Sequence, residues 1–252
     1  VKKINQNKYD LILNFAPLKK NIYKVFLKSK MKIHISFQSR YKKGKDRSIQ
    51  NAFLKLFFDK IYFYERNDLN KLYHQTEFMN NLLISEGIYE IGSPNKVNLK
   101  LGKYLIFDYL IHLTDRWFKS EYKNKDLMNL LEILNKETVK ICITTDLYLS
   151  DDLKLLANKI IKKFKFKCYL KPSFEKWINL INQSNIIITA ESGCSHICGI
   201  LNKKSLIIYD EQNKPEFIMK EYKPYGIRKL VQIKSDNGQK LNNKIISSLN
   251  QL

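Results

Sequence analysis

Glycine, proline, alanine and cysteine are all scarce in this 252-residue chain, which holds 8 Gly, 5 Pro, 4 Ala and 4 Cys. Four cysteines in a chain of this length exclude a small scaffold stapled by disulfides. No apolar run approaches the roughly 18 residues of a membrane-spanning helix, which excludes a helical span. Few glycines also leave few loops for cradling phosphates. There is no G-x-G-x-x-G, no G-x-x-x-x-G-K and no G-x-S-x-G. A dinucleotide dehydrogenase, a P-loop enzyme and a serine hydrolase with a nucleophile elbow are therefore disfavoured. Arginine is rare as well, at 5 against 40 lysines. The first residue is Val1 and no charged-then-apolar leader follows it, so we expect that either a signal has been removed or, more simply, the chain is a piece of something longer.

What is present is a globular composition, 44% hydrophobic and 12% aromatic, large enough to bury a sizeable core. The formal net charge is +21, and 24 asparagines accompany the lysines. Much of that surplus reads as a general Lys/Asn/Ile bias. Its placement is more informative, because residues 1–47 carry 14 Lys/Arg against Asp10 and Asp46, a net of +12. A concentrated basic face attracts nucleic acid, anionic lipid headgroups or phosphorylated substrates. A solvated lysine-rich surface is the competing reading. Cys142 and Cys168 sit in apolar runs, where cysteine behaves as a small buried hydrophobe. Cys194-Ser-His196-Ile-Cys198 lacks the paired spacing and the fourth ligand of a zinc site. Core or loop thiols are expected there, with no metal, and a reducing compartment fits.

Short apolar strands alternate with longer amphipathic segments. Tyr9–Ala16 and Met31–Phe37 read as buried strands, with a basic helical stretch around Leu18–Leu27 between them. Leu69–Glu86 has apolar residues at helical spacing and stops at Gly87. Gly87, Gly92, Pro94 and Gly102 form the densest Gly/Pro cluster, from which we expect a partial N-terminal domain over 1–98 and a C-terminal one over 99–252. In the second half, strands are expected within Lys103–Leu113, Val139–Thr145, Phe166–Leu170, Asn185–Ala190 and Ser205–Asp210. Helices are expected near Glu121–Leu134, over Leu153–Phe164 capped by Ser150, over 174–181 capped by Ser173, and over His196–Leu201. This alternation, with continuously apolar strands, predicts βαβ units on a parallel sheet. The first half has too few strands for a matching sheet, so an initial βα unit is expected to be absent or upstream.

In open parallel sheets ligands bind beyond the carboxyl ends of the strands. One such end is Glu191-Ser192-Gly193-Cys194-Ser195-His196, where a strand runs into a Ser-Gly turn and a helix begins. Gly193 permits a tight turn and close approach of a ligand. The N–H groups of Cys194, Ser195 and His196 are expected at the helix start, where the dipole also favours an anion. Ser192 and Ser195 add hydroxyls, His196 a donor to phosphate oxygen, and Glu191 an acceptor for sugar or ribose hydroxyls. Together these groups suit a diphosphate without a metal; an ordinary strand–helix turn capped by Ser195 is the bland alternative. The second end is Thr114-Asp115-Arg116-Trp117. The scarce guanidinium of Arg116 suits bidentate phosphate contact and Thr114 can join it, against a surface ion pair with Asp115 or Glu121. Trp117 reads as a core anchor. The stretch FKFKCYLKP interleaves basic and aromatic residues as single-strand binders do, yet its period of two fits a half-buried strand better.

These two strand ends, their order and the elements between them resemble the C-terminal domain of glycosyltransferase family 9, the ADP-heptose:lipopolysaccharide heptosyltransferases. The matching stretches are HLTDRWFKSEYKNKDLMNLLEIL and FEKWINLINQSNIIITAESGCSHICGILNKKSLIIYD, with YKPYG (Tyr222–Gly226) similar to the family's aromatic-x-Pro segment. YDLILNF, KMKIHISFQSR and His74-Gln-Thr-Glu77 resemble its N-terminal domain after the first strand. The resemblance implies a GT-B enzyme of two Rossmann-like α/β domains with parallel sheets, the N-terminal one incomplete here. It implies a metal-independent glycosyltransferase without cofactor, moving a heptose-like sugar from a nucleoside-diphosphate donor such as ADP-heptose to a lipopolysaccharide-type glycolipid. Ser192, Gly193, Cys194, Ser195 and His196 would cradle the diphosphate, Thr114 and Arg116 would meet it, and Glu191 would contact the donor sugar. Glu191 stands where the family more often has Asp, and Cys194 where it has Pro or Leu. The family's N-terminal Gly-Asp segment, which supplies its general base, has no counterpart, so no base is named. A cytoplasmic protein, peripheral on the anionic inner membrane face through the basic first region, is the expected setting. A non-catalytic sugar-nucleotide-binding relative is the alternative. A nucleic-acid-binding module is the least favoured, since it leaves the Glu191–His196 turn without a role.

Overall fold

The computed structural model describes residues 11–14, 33–40, 60–65, 74–85, 87, 101, 104–118, 121–211, 214–227 and 229–252. The basic stretch expected as a helix around Leu18–Leu27, and nearly all of the Gly/Pro-rich segment 87–102, lie outside these residues. By its contacts the chain divides into two compact units, Val1–Leu72 and Tyr73–Leu252. Helix α1 (Gln75–Ser85) therefore belongs to the second unit. Its end is marked by Gly87, at φ +65° in the left-handed region that favours glycine.

In the first unit, strands β1 (Leu11–Asn14), β2 (Ile33–Arg40) and β3 (Lys60–Glu65) form a parallel sheet in the order β1-β2-β3. β1 falls within the expected Tyr9–Ala16, and β2 overlaps the expected Met31–Phe37 but runs on to Arg40.

The second unit is a six-stranded, all-parallel sheet with helices on both faces. Its strands are β4 (Phe107–Leu113), β5 (Ile141–Thr145), β6 (Lys167–Tyr169), β7 (Ser184–Ala190), β8 (Lys204–Tyr209) and β9 (Leu230–Lys234). Between them run α2 (Asn124–Lys136), α3 (Asp151–Lys163), α4 (Phe174–Asn182), α5 (Gly193–Ile200) and α6 (Pro215–Glu221), and α7 (Gly238–Leu249) closes the unit. Alternate residues of one strand go to opposite faces. Ile111, Ile143 and Ile188 join the large cluster under α2, α3 and α7, whereas Leu110, Cys142 and Ile187 join the smaller one under α4 and α5. Burial on both faces is why these strands read as continuous apolar runs. The helix starts follow from short polar caps. Ser150 accepts from the Leu153 N–H, Ser173 from Lys176 and Asn237 from Lys240. The strand order β6-β5-β4-β7-β8-β9 reverses between β4 and β7. That reversal is the topological switch point of a doubly wound sheet, where helices leave neighbouring strand ends in opposite directions and a crevice opens.

Candidate functional site

The two strand ends singled out from the sequence are those of β4 and β7, and they are neighbours across the switch point, with His112 opposite Thr189 in register. Beyond β4 the chain makes a 3-10 turn, Asp115–Phe118. Trp117 is buried and its indole N–H donates to the His112 carbonyl at 2.9 Å, which ties the turn to the strand it leaves. Thr114 is buried and its Oγ1 accepts from the Arg116 N–H at 3.2 Å. This frees the Arg116 side chain to reach across to the β7 end. Its guanidinium donates to the Glu191 carbonyl at 2.8 Å and ion-pairs with the Glu191 carboxylate. The partner of Arg116 is thus Glu191, and not the Asp115 or Glu121 weighed from the sequence. Asp115 instead accepts from the Ser150 hydroxyl at 2.5 Å.

The turn after β7 is built by Ser192. Its Oγ accepts from the Cys194 N–H at 3.2 Å, and its carbonyl accepts from the Ser195 hydroxyl at 2.6 Å and the Ser195 N–H at 3.2 Å. Two of the amides expected to face a ligand are therefore held within the turn, and Ser192, rather than Ser195, is the cap. The Cys194 and Ser195 side chains are fully buried. Cys194 and Cys198 are both free thiols in the smaller core cluster, and burial pushes the Cys194 thiol well above its ordinary range. What faces outward is Gly193, whose added Cβ would meet nothing within 4 Å, together with His196. Gly193 has no positive φ, so the backbone does not require glycine; the missing side chain leaves open space in front of the helix start. Crowding by protein holds the His196 imidazole below its ordinary range; Glu191 opposes this and the Arg116 charge adds to it.

The rest of α5 is gripped from behind. A Cβ on Gly199 would lie 2.5 Å from the Tyr225 carbonyl oxygen, so only glycine admits the Pro224–Tyr225 segment here. That segment is held on its far side by His74, whose ring lies 5.4 Å from the Tyr225 ring. The Thr76 N–H donates to His74 Nδ1 at 3.2 Å, so Nε2 carries the proton and donates to the Lys223 carbonyl at 2.9 Å.

One strand further along the same edge lies a cavity of about 260 Å³ that the sequence reading did not find. His112, Asp146, Trp177 and Phe174 line it. His112 is buried, with Nδ1 3.0 Å from Thr144 Oγ1 and Nε2 3.1 Å from Asp146 Oδ1. The Trp177 ring lies 5.1 Å from the His112 ring, and its buried indole N–H has no hydrogen-bond partner among the described residues. Chemically, then, this edge combines a guanidinium and an exposed glycine turn with an aromatic hollow that offers a spare donor and a half-exposed carboxylate.

No family model and no curated protein matches the chain by sequence. Solved structures do match in shape. E. coli heptosyltransferase WaaC with ADP aligns with a TM-score of 0.67 at 13% identity, over 99% of this chain and 75% of that one. E. coli ADP-heptose lps heptosyltransferase II gives 0.64 at 12%, over 98% and 77%. The glycosyl transferase family 9 structure from Veillonella parvula gives 0.64 at 12%, over 97% and 68%. The fold is that of the GT-B heptosyltransferases. At such identities the likeness is one of fold, and the residues at the switch point must speak for the chemistry.

Proposed function

We propose that the chain is a glycosyltransferase that moves a sugar, heptose-like, from a nucleoside-diphosphate donor to a hydroxyl of a lipopolysaccharide-type glycolipid. The observation that carries this reading is the Arg116–Glu191 bridge across the switch point, in front of the open Gly193 turn. A diphosphate arriving there would take the guanidinium as a bidentate partner and release Glu191 to accept from sugar hydroxyls. His196 and the helix start of α5 add donors on the other side of the phosphates. The nucleoside would lie in the neighbouring hollow, with its base against Trp177 and its hydroxyls or base N–H groups donating to Asp146. Transfer forms a bond from the acceptor oxygen to the anomeric carbon and breaks the bond from that carbon to the diphosphate, with inversion. Charge growing on the leaving oxygen is met by Arg116 and the α5 dipole, the preorganised donors such a step needs. The fold shared with WaaC, a structure holding ADP, supports the nucleotide part of this reading.

A thermal-shift screen of nucleoside diphosphates tests it. A bound nucleotide at one hundred times its Kd adds about 2.7 kcal/mol to stability. The shift should disappear in Arg116→Ala and in Gly193→Val, whose side chain starts in the open space before the turn, where a Cβ meets nothing within 4 Å. If no nucleoside diphosphate raises the melting temperature, the proposal is wrong. Release of nucleoside diphosphate from a sugar donor, dependent on added acceptor, separates a transferase from a sugar-nucleotide-binding relative without turnover.

A further inference from the structure

The opposite, amino edge of the six-stranded sheet holds a larger cavity, of about 610 Å³, within the roughly 300–1,000 Å³ of ligand pockets. It opens where β4, β5 and β6 begin, beside α4. Phe107, Ile141, Phe166 and Leu180 give it apolar and aromatic walls. Lys140, Lys165, Lys167 and Lys176 stand around them, all exposed. No carboxylate lines the cavity, and none of the four lysines has an ion-pair partner among the described residues. The Lys176 ammonium sits 5.2 Å from the centroid of the Tyr169 ring. The period of two noted in FKFKCYLKP is what builds this wall. Phe164 and Phe166 turn inward and stack at 4.9 Å, while Lys165 and Lys167 turn outward. The four cavity lysines, with Lys136 and Lys162 in the last turns of α2 and α3, face Asp108, whose carboxylate accepts from the Lys140 N–H at 2.7 Å, Glu137, and about half a negative charge at the carboxyl end of each of α2, α3 and α4, so positive charge is in excess.

Next to the cavity, Tyr104, Leu105 and Ile106 are 83%, 61% and 47% exposed, and Ile106 continues into its wall. An apolar segment in water, leading into an apolar hollow ringed by lysines, fits one partner: a surface that is anionic outside and hydrocarbon within. Single-stranded nucleic acid fits less well, because among the described residues here Tyr104 alone offers an open aromatic face, while the exposed Leu105 and Ile106 give bases nothing to stack on and Phe107 is only 8% exposed. We infer that this edge of the second unit docks on an anionic phospholipid bilayer. The lysines hold lipid phosphates there, Tyr104–Ile106 enter the headgroup boundary, and one lipid chain occupies the cavity. The inference goes beyond the transferase reading and stands or falls without it.

Co-sedimentation of the full chain with phosphatidylcholine vesicles, with and without phosphatidylglycerol, tests it. Residues 1–47 are also basic, so the comparison among variants decides. Lys165→Glu/Lys167→Glu should lower affinity for the anionic vesicles at least about tenfold, since each lysine near such a surface contributes on the order of a fivefold factor. Ile106→Ser should also weaken it. Lys125→Glu/Lys240→Glu, the same charge change in the first turns of α2 and α7 at the other edge of the sheet, should leave it near the wild-type value. Thermal melts check folding, and Lys165→Gln/Lys167→Gln replaces the reversal if that variant does not fold. Equal loss in both double variants would mean diffuse charge attraction. No effect of Ile106→Ser, or tighter binding to an oligonucleotide than to vesicles, would equally overturn the inference. Nucleotide thermal shifts should be unchanged throughout, which separates its failure from that of the transferase proposal.

Discussion

At the carboxyl edge of the six-stranded sheet, charged and polar side chains hold one another: Arg116 with Glu191, His112 with Asp146 and Thr144, Asp115 with Ser150. At the amino edge, made by the same strands, four lysines of one cavity stand without ion-pair partners among the described residues. The difference teaches what each edge can recognise. A network of short bonds fixes the positions of its donors before a ligand arrives, so it selects geometry. Free lysines on long stems carry about 2 kcal/mol of rotamer entropy each and select charge density, with little regard to shape. One edge is suited to a small, well-defined molecule and the other to an extended surface.

The largest effect tests whether the carboxyl edge is rigid. Gly199→Val drives a side chain into the Tyr225 backbone, which the His74 contacts prevent from retreating. Overpacking of this kind costs about 1–3 kcal/mol, and the backbone clash places the expected loss near the upper end. Chemical denaturation measures it directly. Gly193→Val, six residues earlier on the same helix, should change stability by less than about 0.5 kcal/mol, as exposed substitutions do. If both variants lose stability alike, the two ends of α5 do not divide between binding and packing.

Next in size is Arg116→Ala. The pair with Glu191 is half exposed, with Arg116 at 47%, so its removal should cost under about 1 kcal/mol of stability. Affinity for a nucleoside diphosphate should fall far more, about tenfold to a hundredfold, for the loss of a charge-assisted contact. A calorimetric titration that shows the reverse, large destabilisation with unchanged affinity, would reduce the bridge to a structural one. Asp146→Ala sharpens the same contrast within the edge. It should weaken nucleoside-diphosphate binding about tenfold to a hundredfold while leaving inorganic pyrophosphate unaffected, because one lost hydrogen bond to a charged group is worth about 1.5–3 kcal/mol.

Much of this edge was legible in the sequence, and the reasons are local. Apolar runs bounded by polar caps marked β4, β5, β7 and β8, because strands buried on both faces leave no alternation to confuse them. Ser150 and Ser173 marked α3 and α4 because a hydroxyl at the cap must satisfy a particular amide. Elements left unmarked include β3, α6, β9 and α7; in the second unit their signal is weak, since α6 has only seven residues, β9 is only half-buried along its whole length, and α7 starts at Gly238, a residue expected to end helices. Glycine is needed there because a Cβ would lie 2.0 Å from the Asp126 carboxylate. That demand comes from α2, more than a hundred residues away, and no local pattern carries it. The Arg116–Glu191 pair and the hollow of His112, Asp146 and Trp177 were missed for the same reason. Each depends on which strands become neighbours, and the reversal of order at β4 and β7 cannot be read from spacing. Asp115 and Glu121 were the nearer partners for Arg116 along the chain, but the 3-10 turn fixed by Trp117 aims the side chain at β7 instead.

The smallest expected effect concerns His196 and pH. Crowding keeps its folded-state pKa below the ordinary value of about 6.5, so the unfolded chain binds the proton more readily. Stability from this residue is therefore complete above pH 6.5 and declines as the pH falls from there toward the depressed folded value. In His196→Gln that part of the decline should vanish, which denaturant melts across this window would reveal as a flatter curve. The nucleotide site predicts the opposite sign for binding. A diphosphate beside the ring adds negative charge, raises the imidazole pKa and stabilises its protonated form. Binding should then take up protons near pH 6, and affinity should increase as the pH drops through the same window in which the empty protein loses stability. Titrations in buffers of different ionisation enthalpy measure that uptake. Its absence, with stability still pH-dependent through His196, would mean that the imidazole faces the protein and not the ligand, and that the open ground before Gly193 is served by Arg116 alone.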